Sequence, residues 1–335
     1  MPELPEVQTI VSELDEKIKH KTIKSVQVFK YKSVRPMNKK FVQAVKGKKI
    51  LGVARRAKMI IINLSGDKHL LIHLKMTGQL VYFSPPARGV VKQRPGASGA
   101  RVDEYDHWEY SALAQDGRGG GSRDLKAVSG GHAIPRQTPP NLPLKRGGNI
   151  TPTKFTRVMF EFTDKSHLFF NDIRRFGWIK FADKKLYESE TGKYGLEPLS
   201  KDFTFSAFKE KLKRYPNRKI KQVLMDQSLI AGVGNIYADE VCFAAKVLPT
   251  RPANKLTEKE SKEIFRAIPR ILKLSISKKG TSADTYVTTS GAEGGMMKYL
   301  KVYGRAGERC KRCGGTIHKI KLGGRGTHFC PSCQK

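Results

Sequence analysis

The first residues of the chain, Met1-Pro2-Glu3, are suited to covalent catalysis. If Met1 is removed, Pro2 carries a free secondary amine, and a terminal amine titrates at about pH 8, so a fraction is unprotonated at neutral pH. Attack of this amine on an aldehyde-level carbon gives an iminium that cannot lose a proton from nitrogen and so remains an electron sink. The alternative is that Pro2 and Glu3 simply begin a helix, where proline and acidic residues are favoured.

Four cysteines near the other end follow the pattern C-x2-C-x16-C-x2-C, and they are Cys310, Cys313, Cys330 and Cys333. This spacing is typical of a four-thiolate zinc site, which is structural because tetrahedral closure leaves no open position. The alternative is two unrelated pairs of reduced thiols. Several basic residues lie between the two cysteine pairs. We expect this segment to form a hairpin whose tip binds phosphate groups.

The segment from Val223 to Glu240 predicts a helix, a turn and a second helix. Gly232 and Gly234 allow a tight reversal, and Asn235 is well placed as an N-cap. Open amides at the start of the second helix would then form a phosphate seat. A dinucleotide-binding fingerprint is the competing interpretation, but its third glycine is missing and a helix rather than a strand precedes it. An ordinary capped helix turn remains the other alternative.

Charge composition narrows the class of partner. The chain has 64 Lys+Arg against 30 Asp+Glu, a net charge of +34, and such a balance indicates binding to a polyanion, most often nucleic acid. No run approaches the about 18 apolar residues of a membrane span, and no signal peptide is evident, so we expect a cytoplasmic protein that does not bind membranes. Paired cysteines suit a reducing compartment, and Cys242, in an apolar run, is expected to be a buried small hydrophobe.

The periodicity of apolar residues predicts a β-rich half followed by a helical half, two domains for 335 residues. A helix is predicted at 2–20; strands at 22–31, 50–55, 59–64, 69–76, 79–83, 157–162, 168–171 and 178–181; and helices at 206–214, 219–227, 235–245 and 258–277. Residues 86–150 are rich in glycine and proline without a period, so they predict a disordered insertion that chemistry does not require. The glycine-rich stretch 281–297 leads into the cysteine-bearing tail.

Six motifs then resemble those of bacterial formamidopyrimidine-DNA glycosylases, in the family's order. They are Met-Pro-Glu-Leu-Pro-Glu-Val at 1–7, Arg-Arg-Ala-Lys at 55–58, His-Leu-Lys-Met-Thr-Gly at 73–78, Arg-Arg-Phe-Gly at 174–177, Gly-Val-Gly-Asn-Ile-Tyr-Ala at 232–238 and the four-cysteine finger. The resemblance implies an α+β protein with three parts: an N-terminal β-sandwich domain with flanking helices (1–195), a helix–two-turn–helix domain (200–297) and a zinc finger (298–335). DNA would lie across the cleft between the two halves.

The resemblance also implies roles for individual residues. Pro2 becomes the nucleophile at C1′ of the damaged nucleotide, and Glu3 the acid and base that assists base release and ring opening. Lys58 and Arg325 match proton donors of the β- and δ-eliminations. Further DNA contacts are implied at His73, Met76, Arg174, Phe176 and Asn235, of which Met76, Arg174 and Phe176 would fill the space of the flipped nucleotide. Arg218 and Lys221 are expected as additional backbone contacts, and one structural Zn²⁺ is the implied cofactor.

The implied activity is excision of oxidised purines from double-stranded DNA by a monomer, followed by β,δ-elimination at the abasic site. The related endonuclease VIII type, which prefers oxidised pyrimidines, is an alternative, although Leu4 replaces the glycine usual there. A non-catalytic zinc-ribbon protein would explain the charge and the cysteines but not Pro2-Glu3. The chain departs from the family at Phe155 and Arg157, where histidines are common, and at Ile173, where proline commonly precedes Arg-Arg-Phe.

Overall fold

In a computed structural model of the protein, the structure describes residues 1–29, 32–37, 39–84, 144–146 and 149–335. Most of the predicted insertion, 86–150, lies outside the described residues. The prediction that chemistry does not require this insertion falls on the same segment. The two described pieces at its end, Leu144–Arg146 and Asn149–Thr151, pair as short antiparallel strands. The expectation of a disordered insertion at 86–150 stays a prediction.

Short β-strands are the main regular structure of the N-terminal half. In chain order the strands are β1 (Ile23–Val28), β2 (Val34–Arg35), β3 (Ile50–Arg56), β4 (Met59–Leu64), β5 (Lys68–His73), β6 (Gly78–Phe83), β7 (Leu144–Arg146), β8 (Asn149–Thr151), β9 (Thr156–Phe162), β10 (His167–Asp172) and β11 (Trp178–Ala182). The C-terminal tail adds a hairpin of β12 (His318–Leu322) and β13 (Arg325–Phe329).

Two sheets form a sandwich. One has the strand order β1-β9-β10-β6, and the other β2-β11-β5-β4-β3. All neighbouring pairs in these sheets are antiparallel except β11 with β2. Alternation of side chains directs residues such as Ile60, Ile62, Phe160 and Phe170 into one buried core between the sheets.

Seven α-helices are described. They are α1 (Leu4–Ile18), α2 (Lys39–Val45), α3 (Lys184–Thr191), α4 (Phe205–Lys213), α5 (Ile220–Met225), α6 (Asn235–Ala244) and α7 (Glu258–Ser277). Helices α4 to α7 enclose a second core, separate from that of the sandwich. Thr257 and Glu260 form a capping box that fixes the start of α7 where the apolar periodicity predicts it.

Helix α1 connects the two cores. Val7, Ile10 and Leu14 face the sandwich core, whereas Leu4 is buried in the helical core. The start of α1, with Pro2 and Glu3 just before it, therefore lies where the β-rich and helical halves meet. The sequence predicts this helix with its apolar face, and the observed helix begins two residues later than predicted because Glu3 occupies the N-cap position.

Two short helices were not predicted. Helix α2 has only seven residues, and α3 has no buried residue, so neither gives a clear apolar period. The observed α+β architecture, with a sandwich, a helical module and a cysteine-bearing hairpin, confirms the predicted fold class. No helix in the described part of the chain combines the length and the apolar character needed to cross a bilayer.

Candidate active site and nucleic-acid interface

The carboxylate of Glu3 lies at the N-terminus of α6. It accepts hydrogen bonds from the backbone N–H of Gly234 at 2.7 Å and of Ile236 at 2.9 Å, and Glu3 is only 3% exposed. The unpaired amides and the dipole of a helix start favour a negative charge at this position. The prediction that Asn235 caps this helix is wrong, because Gly234 is the N-cap. The expected phosphate seat is likewise occupied by Glu3.

Close approach of the N-terminus to the turn before α6 requires two glycines. A Cβ on Gly234 would lie 2.4 Å from the carboxyl carbon of Glu3, and one on Gly232 would lie 2.7 Å from the side chain of Leu4. Gly232 also has φ +86°, a conformation that only glycine adopts without strain. Its carbonyl accepts a hydrogen bond from the Leu4 N–H at 3.0 Å. The glycines thus hold Pro2 and Glu3 against the helical module.

Pro2 is buried beside Glu3. The terminal ammonium of Met1 lies 3.4 Å from a carboxylate oxygen of Asp284. While Met1 is present, the Pro2 nitrogen is an amide and cannot act as a nucleophile. Removal of Met1 would place a secondary amine at the junction of the two halves, next to the Glu3 carboxylate.

Lys58 lies at the turn between β3 and β4. The turn uses a left-handed conformation at Ala57, with φ 54°. The Glu197 carboxylate accepts from the Ala57 N–H at 2.5 Å and forms an ion pair with Arg55 at 2.8 Å. These contacts attach the turn to the segment that enters the helical half, so the position of Lys58 is set by both halves of the chain.

Burial lowers the pKa of the Lys58 ammonium, which is 5% exposed. The negative charges of Glu3 and Glu6 oppose this shift, whereas the positive charges of Arg325 and Lys75 add to it. Lys58 therefore shares one electrostatic environment with Glu3 and Arg325, residues that are far apart in sequence. A lysine with a lowered pKa gives up its proton more readily, which suits it to act as a general acid.

Glu6 lies one turn into α1 and is a buried carboxyl that the sequence reasoning missed. It accepts from the Glu3 N–H at 2.8 Å and from the Thr281 N–H at 2.7 Å, and the hydroxyl of Tyr237 donates to it. The Tyr237 oxygen also lies 2.6 Å from Ser275 Oγ. Burial raises the pKa of Glu6, and the charge of Glu3 adds to the shift. The only sequence signal was the second Pro-Glu pair in the N-terminal motif.

His73, at the end of β5, is neutral in this environment. Burial, together with the charges of Lys75 and Lys58, lowers its pKa to about 3. Its Nδ1 accepts from the Lys75 N–H at 3.0 Å, so the ring proton is on Nε2, which remains available as a donor. Met76 follows in the turn between β5 and β6 and is half-buried rather than part of the core.

The loop of Arg174 and Phe176 is exposed. The Arg174 guanidinium lies 4.7 Å from the centre of the Phe176 ring, and Phe176 is 53% exposed. Exposure of a large aromatic side chain at a fixed loop is typical of a binding surface. The structure thus places Arg174 and Phe176 as a solvent-facing pair, and their contact with DNA stays a prediction.

Asp172 holds this loop against the Met76 turn. Its carboxylate accepts from the Thr77 hydroxyl at 2.5 Å and from the Gly177 N–H at 2.7 Å, and Thr77 Oγ1 accepts from the Arg174 N–H at 3.0 Å. Arg157, which replaces a common family histidine, donates from Nε to the Asp172 carbonyl at 2.8 Å. Asp172 was not predicted, since an aspartate at a strand end is common in turns.

Asn235 is the first residue of α6. Its Oδ1 is buried and has no partner within the described part of the chain. Because oxygen and nitrogen of an amide are interchangeable by a flip, this position can present either an acceptor or a donor to a ligand.

Arg325 begins β13, directly after the glycine turn of the tail hairpin. Together with Arg218 and Gln222 it lines a polar cleft of about 170 Å³ between α5 and the hairpin tip. Arg218 forms an ion pair with Asp226 at 2.7 Å. The structure therefore brings Arg325 and Arg218 to one surface, and Arg325 also contributes to the electrostatic environment of Lys58.

Lys221 differs from the other predicted DNA contacts because it is 1% exposed. Its Nζ lies 2.7 Å from Asp239 Oδ1 and donates to Thr327 Oγ1 at 2.8 Å. The His328 N–H donates to the other oxygen of Asp239 at 2.9 Å. The predicted backbone contact is at odds with this burial: Lys221 joins α5 and α6 to the hairpin that carries Arg325.

The four predicted zinc ligands come together. Their sulfur atoms all lie within 4.8 Å of one another, with 3.8 Å between Cys310 and Cys333 and 3.4 Å between Cys313 and Cys330. Tetrahedral zinc with bonds of about 2.3 Å requires sulfur atoms about 3.8 Å apart. The donor set fits Zn²⁺, and the tail forms a structural zinc site. Cys242 is fully buried, and burial raises its pKa, in line with its predicted role as a small hydrophobe.

The glycine-rich stretch 281–297 is bound to the sandwich. The Thr289 carbonyl accepts from the Tyr82 N–H at 2.8 Å, Thr289 N–H donates to Glu13 at 2.9 Å, and the Thr285 carbonyl accepts from Gln79 Nε2 at 2.6 Å. This stretch, which follows α7 in the chain, is therefore held against β6 and α1.

Comparison with known proteins agrees with this arrangement. Residues 1–179 match the formamidopyrimidine-DNA glycosylase N-terminal domain, 194–287 its H2TH domain, and 307–335 the zinc finger found in FPG and IleRS. The formamidopyrimidine-DNA glycosylases of Listeria monocytogenes and Carboxydothermus hydrogenoformans are 36% and 35% identical to the chain, and each match covers 100% of both chains.

Solved structures show the same fold. The Lactococcus lactis Fpg in complex with abasic-site DNA matches with a TM-score of 0.74 and 30% identity, covering 99% of each chain. The same enzyme with a Fapy-dG-containing DNA also matches with a TM-score of 0.74 and 30% identity, covering 99% of this chain and 100% of that chain. The chain therefore belongs to the formamidopyrimidine-DNA glycosylase family of base-excision repair enzymes.

Proposed function

We propose that the protein excises oxidised purines, such as 8-oxoguanine and formamidopyrimidines, from double-stranded DNA and then cleaves the abasic strand. The observation that carries the proposal is the position of Pro2 and Glu3, buried side by side where the sandwich meets the N-terminus of α6. The solved relatives in complex with abasic and Fapy-dG DNA support this substrate class.

In the first step, the Pro2 nitrogen attacks C1′ of the damaged nucleotide. The bond from C1′ to the base breaks, and the base leaves with a proton. The Pro2 nitrogen loses its proton to the departing base, and Glu3 donates a proton to O4′ as the bond between C1′ and O4′ breaks. The nitrogen lone pair then forms a double bond to C1′, which leaves an iminium between Pro2 and the ring-opened sugar, with O4′ as a hydroxyl. Because Glu3 is held by two backbone amides, its carboxylate is oriented before the substrate binds.

In the second step, the iminium withdraws electrons while the Glu3 carboxylate, which gave its proton to O4′, takes a proton from C2′ and the C3′–O bond to the 3′ phosphate breaks. Loss of the C4′ proton then breaks the C5′–O bond and releases the 5′ phosphate. Lys58 and Arg325 are proposed to donate protons and to bind these phosphates. The lowered pKa of Lys58 supports proton donation, since a weaker base releases its proton more easily. The guanidinium of Arg325 suits phosphate recognition by paired N–H groups.

The flipped nucleotide must leave the base stack, which costs a few kcal/mol. Met76 and Phe176 are proposed to fill the vacated space, and Arg174 to pair with the orphaned base. Support comes from the exposed Arg174–Phe176 pair and from Asp172, which fixes that loop relative to the Met76 turn. His73, Asn235 and Arg218 are proposed as backbone contacts of a monomer, with the net charge of +34 adding salt-sensitive affinity.

Borohydride trapping tests the proposal. A duplex containing 8-oxoguanine opposite C should yield a covalent adduct that maps to the peptide beginning at Pro2. Retention of Met1, or a tag ahead of Pro2, should abolish the adduct by making the nitrogen an amide. An adduct on a lysine side chain would overturn the assignment, and absence of any adduct would favour a non-catalytic zinc-ribbon protein. A lesion panel with faster excision of oxidised pyrimidines would favour the endonuclease VIII type.

A further inference from the structure

A groove of about 420 Å³ lies on the helical half, between α6, α7 and the zinc-binding tail. Its floor is mostly apolar and includes Phe243, Ile271 and Met296. Leu274 and Tyr299 stand at its edge and are 40% and 41% exposed. Large apolar side chains left open beside a concave apolar surface are typical of a recognition site for another molecule.

Cationic side chains surround this apolar floor. Arg270, Lys301, Lys311 and Arg312 all line the groove. Within the described residues, Arg270, Lys301 and Lys311 form no ion pair with a carboxylate, so their charges are available to a partner. The acidic lining residue, Glu240, is 4% exposed, and it accepts hydrogen bonds from the backbone N–H groups of Val302 and Tyr303, both at 2.9 Å.

The guanidinium of Arg312 is already fixed. It lies 3.9 Å from the centre of the Phe243 ring and donates to the Phe243 carbonyl at 2.9 Å. This contact joins the zinc-binding tail to the end of α6 and forms one wall of the groove. A cation held in place loses little side-chain entropy when a carboxylate binds to it.

The groove is separate from the proposed catalytic centre. Glu3 contacts the N-terminus of α6, whereas Phe243 and Ala244 line the groove at the other end of this ten-residue helix. The two ends are about 15 Å apart, because each helical residue adds about 1.5 Å. A molecule can therefore bind in the groove without contact with Glu3.

We propose that this groove binds an acidic peptide segment of a partner protein, with one or two aromatic or aliphatic side chains inserted on the apolar floor. Carboxylates of the segment would pair with Arg270, Lys301 and Lys311 around the rim. Such a combination of apolar anchors and flanking charge is how short segments gain both affinity and specificity. Duplex DNA is the less suitable occupant. Its phosphates would pair with the cations of the groove, but they would not cover the exposed apolar side chains of Leu274 and Tyr299.

Fluorescence anisotropy with a labelled synthetic peptide, Asp-Glu-Trp-Asp-Asp-Leu-Glu, tests the proposal on the zinc-loaded full chain. We expect a Kd on the order of 10 μM at low salt. Arg270→Glu should weaken binding by about tenfold and Leu274→Ser by about fivefold. Lys273→Glu is the matched control, since it makes the same charge change on the exposed surface of α7 without lining the groove, and it should alter binding less than twofold.

Two further measurements complete the test. A peptide with Ser in place of Trp and Leu keeps its charge and should bind about tenfold more weakly; equal binding would show that charge alone is recognised and would overturn the proposal. Duplex DNA binding and 8-oxoguanine excision should be the same for Arg270→Glu and Lys273→Glu. A selective loss of DNA binding in Arg270→Glu would instead identify the groove as a DNA surface, and failure of the first peptide to bind would also overturn the proposal. Zinc content and Tm establish that each variant is folded.

Discussion

A hydrogen bond of 2.7 Å joins the carboxylate of Glu3 to the N–H of Gly234, two residues that are 231 positions apart. It joins the N-cap residue of α1 to the N-cap residue of α6 in the helical half. The helix start supplies both the donors and the favourable dipole, so one contact positions the carboxylate and connects the two halves.

Gly234→Ala should therefore impair catalysis. The new Cβ would lie 2.4 Å from the Glu3 carboxyl carbon and would displace that carboxylate from the amides. We expect excision to fall on the order of 100-fold, because misplacement of a reacting group by about 1 Å has effects of this size. Single-turnover excision of 8-oxoguanine measures it.

Gly52→Ala is the matched control for this variant, since its Cβ would meet only the Asp15 carboxylate, at 3.3 Å. It should retain excision within about twofold of the parent. Equal losses in the two variants would contradict a specific role for the Gly234 contact.

The buried carboxyl of Glu6 should make the stability of the folded protein depend on pH. Its pKa is raised above 4.5 by burial and by Glu3, so the folded protein binds more protons than the unfolded chain between 4.5 and the raised value. The stability that this group contributes is present below pH 4.5 and is lost as the pH rises through that window. In Glu6→Gln this contribution is absent, so Tm of the variant relative to the parent should rise as the pH increases from 4.5.

Thermal unfolding of both proteins across this window provides the measurement, and a relative change of about 2–4 °C corresponds to each kcal/mol. Glu16→Gln is the control, because Glu16 is exposed on the same helix. A difference between parent and Glu6→Gln that is constant with pH would contradict the raised pKa.

Much of this fold is predictable from the sequence, and the reasons differ among its elements. The apolar period of α7 and its Thr257–Glu260 box give both ends of that helix, because its signals are local. The four cysteines likewise predict a zinc site from spacing alone. Lys221 shows the limit: a lysine in a basic chain is expected at the surface, and its burial depends on Asp239 and Thr327, which only the tertiary fold brings near. Glu6 and Asp172 were missed for the same reason.

The buried pair of Lys221 and Asp239 should be essential to the position of the tail hairpin. Lys221→Met leaves the Asp239 carboxylate buried with its charge uncompensated, and we expect a loss of about 3–5 kcal/mol in the free energy of unfolding. Lys213→Met, on the exposed surface of α4, should change it by less than about 0.5 kcal/mol. Urea unfolding measures both.

Adding Asp239→Leu to Lys221→Met removes the unpaired charge and should recover part of the lost stability. A loss of stability in the double variant that is smaller than the sum of the two single-variant losses shows that the two side chains are energetically coupled. Additive losses in the double variant would show that the two side chains act independently.

Zinc removal should unfold the hairpin that carries Arg325. Thiolate coordination supplies folding free energy to small metal modules, and Cys330 is fully buried at the centre of this one. Cys330→Ser should weaken binding to abasic-site DNA by about tenfold or more while the sandwich stays folded. Metal content and a binding titration measure the effect.

Cys242→Ser is the control for this variant, because Cys242 lies outside the metal cluster, and it should keep its zinc. Chelation of the parent should reproduce the Cys330→Ser result. Full DNA binding by metal-free parent would contradict a structural role for zinc.

We propose that the glycine-rich stretch 281–297, which resembles the mobile loop of the family, closes over the flipped base and discriminates damaged bases. Its backbone offers a specific way to perturb it. A Cβ on Gly294 would lie 2.3 Å from the Gly280 carbonyl oxygen, so Gly294→Ala must shift the base of the loop. At the neighbouring Gly295 a Cβ meets nothing closer than 3.5 Å, so Gly295→Ala is a matched control.

If the loop closes over the flipped base, Gly294→Ala should lower excision of 8-oxoguanine on the order of tenfold but leave cleavage at a preformed abasic site nearly unchanged, because that substrate has no base to enclose. Parallel single-turnover assays on the two duplexes measure the ratio. Equal loss on both substrates would instead assign the loop a general structural role, consistent with its hydrogen bonds to Tyr82 and Glu13.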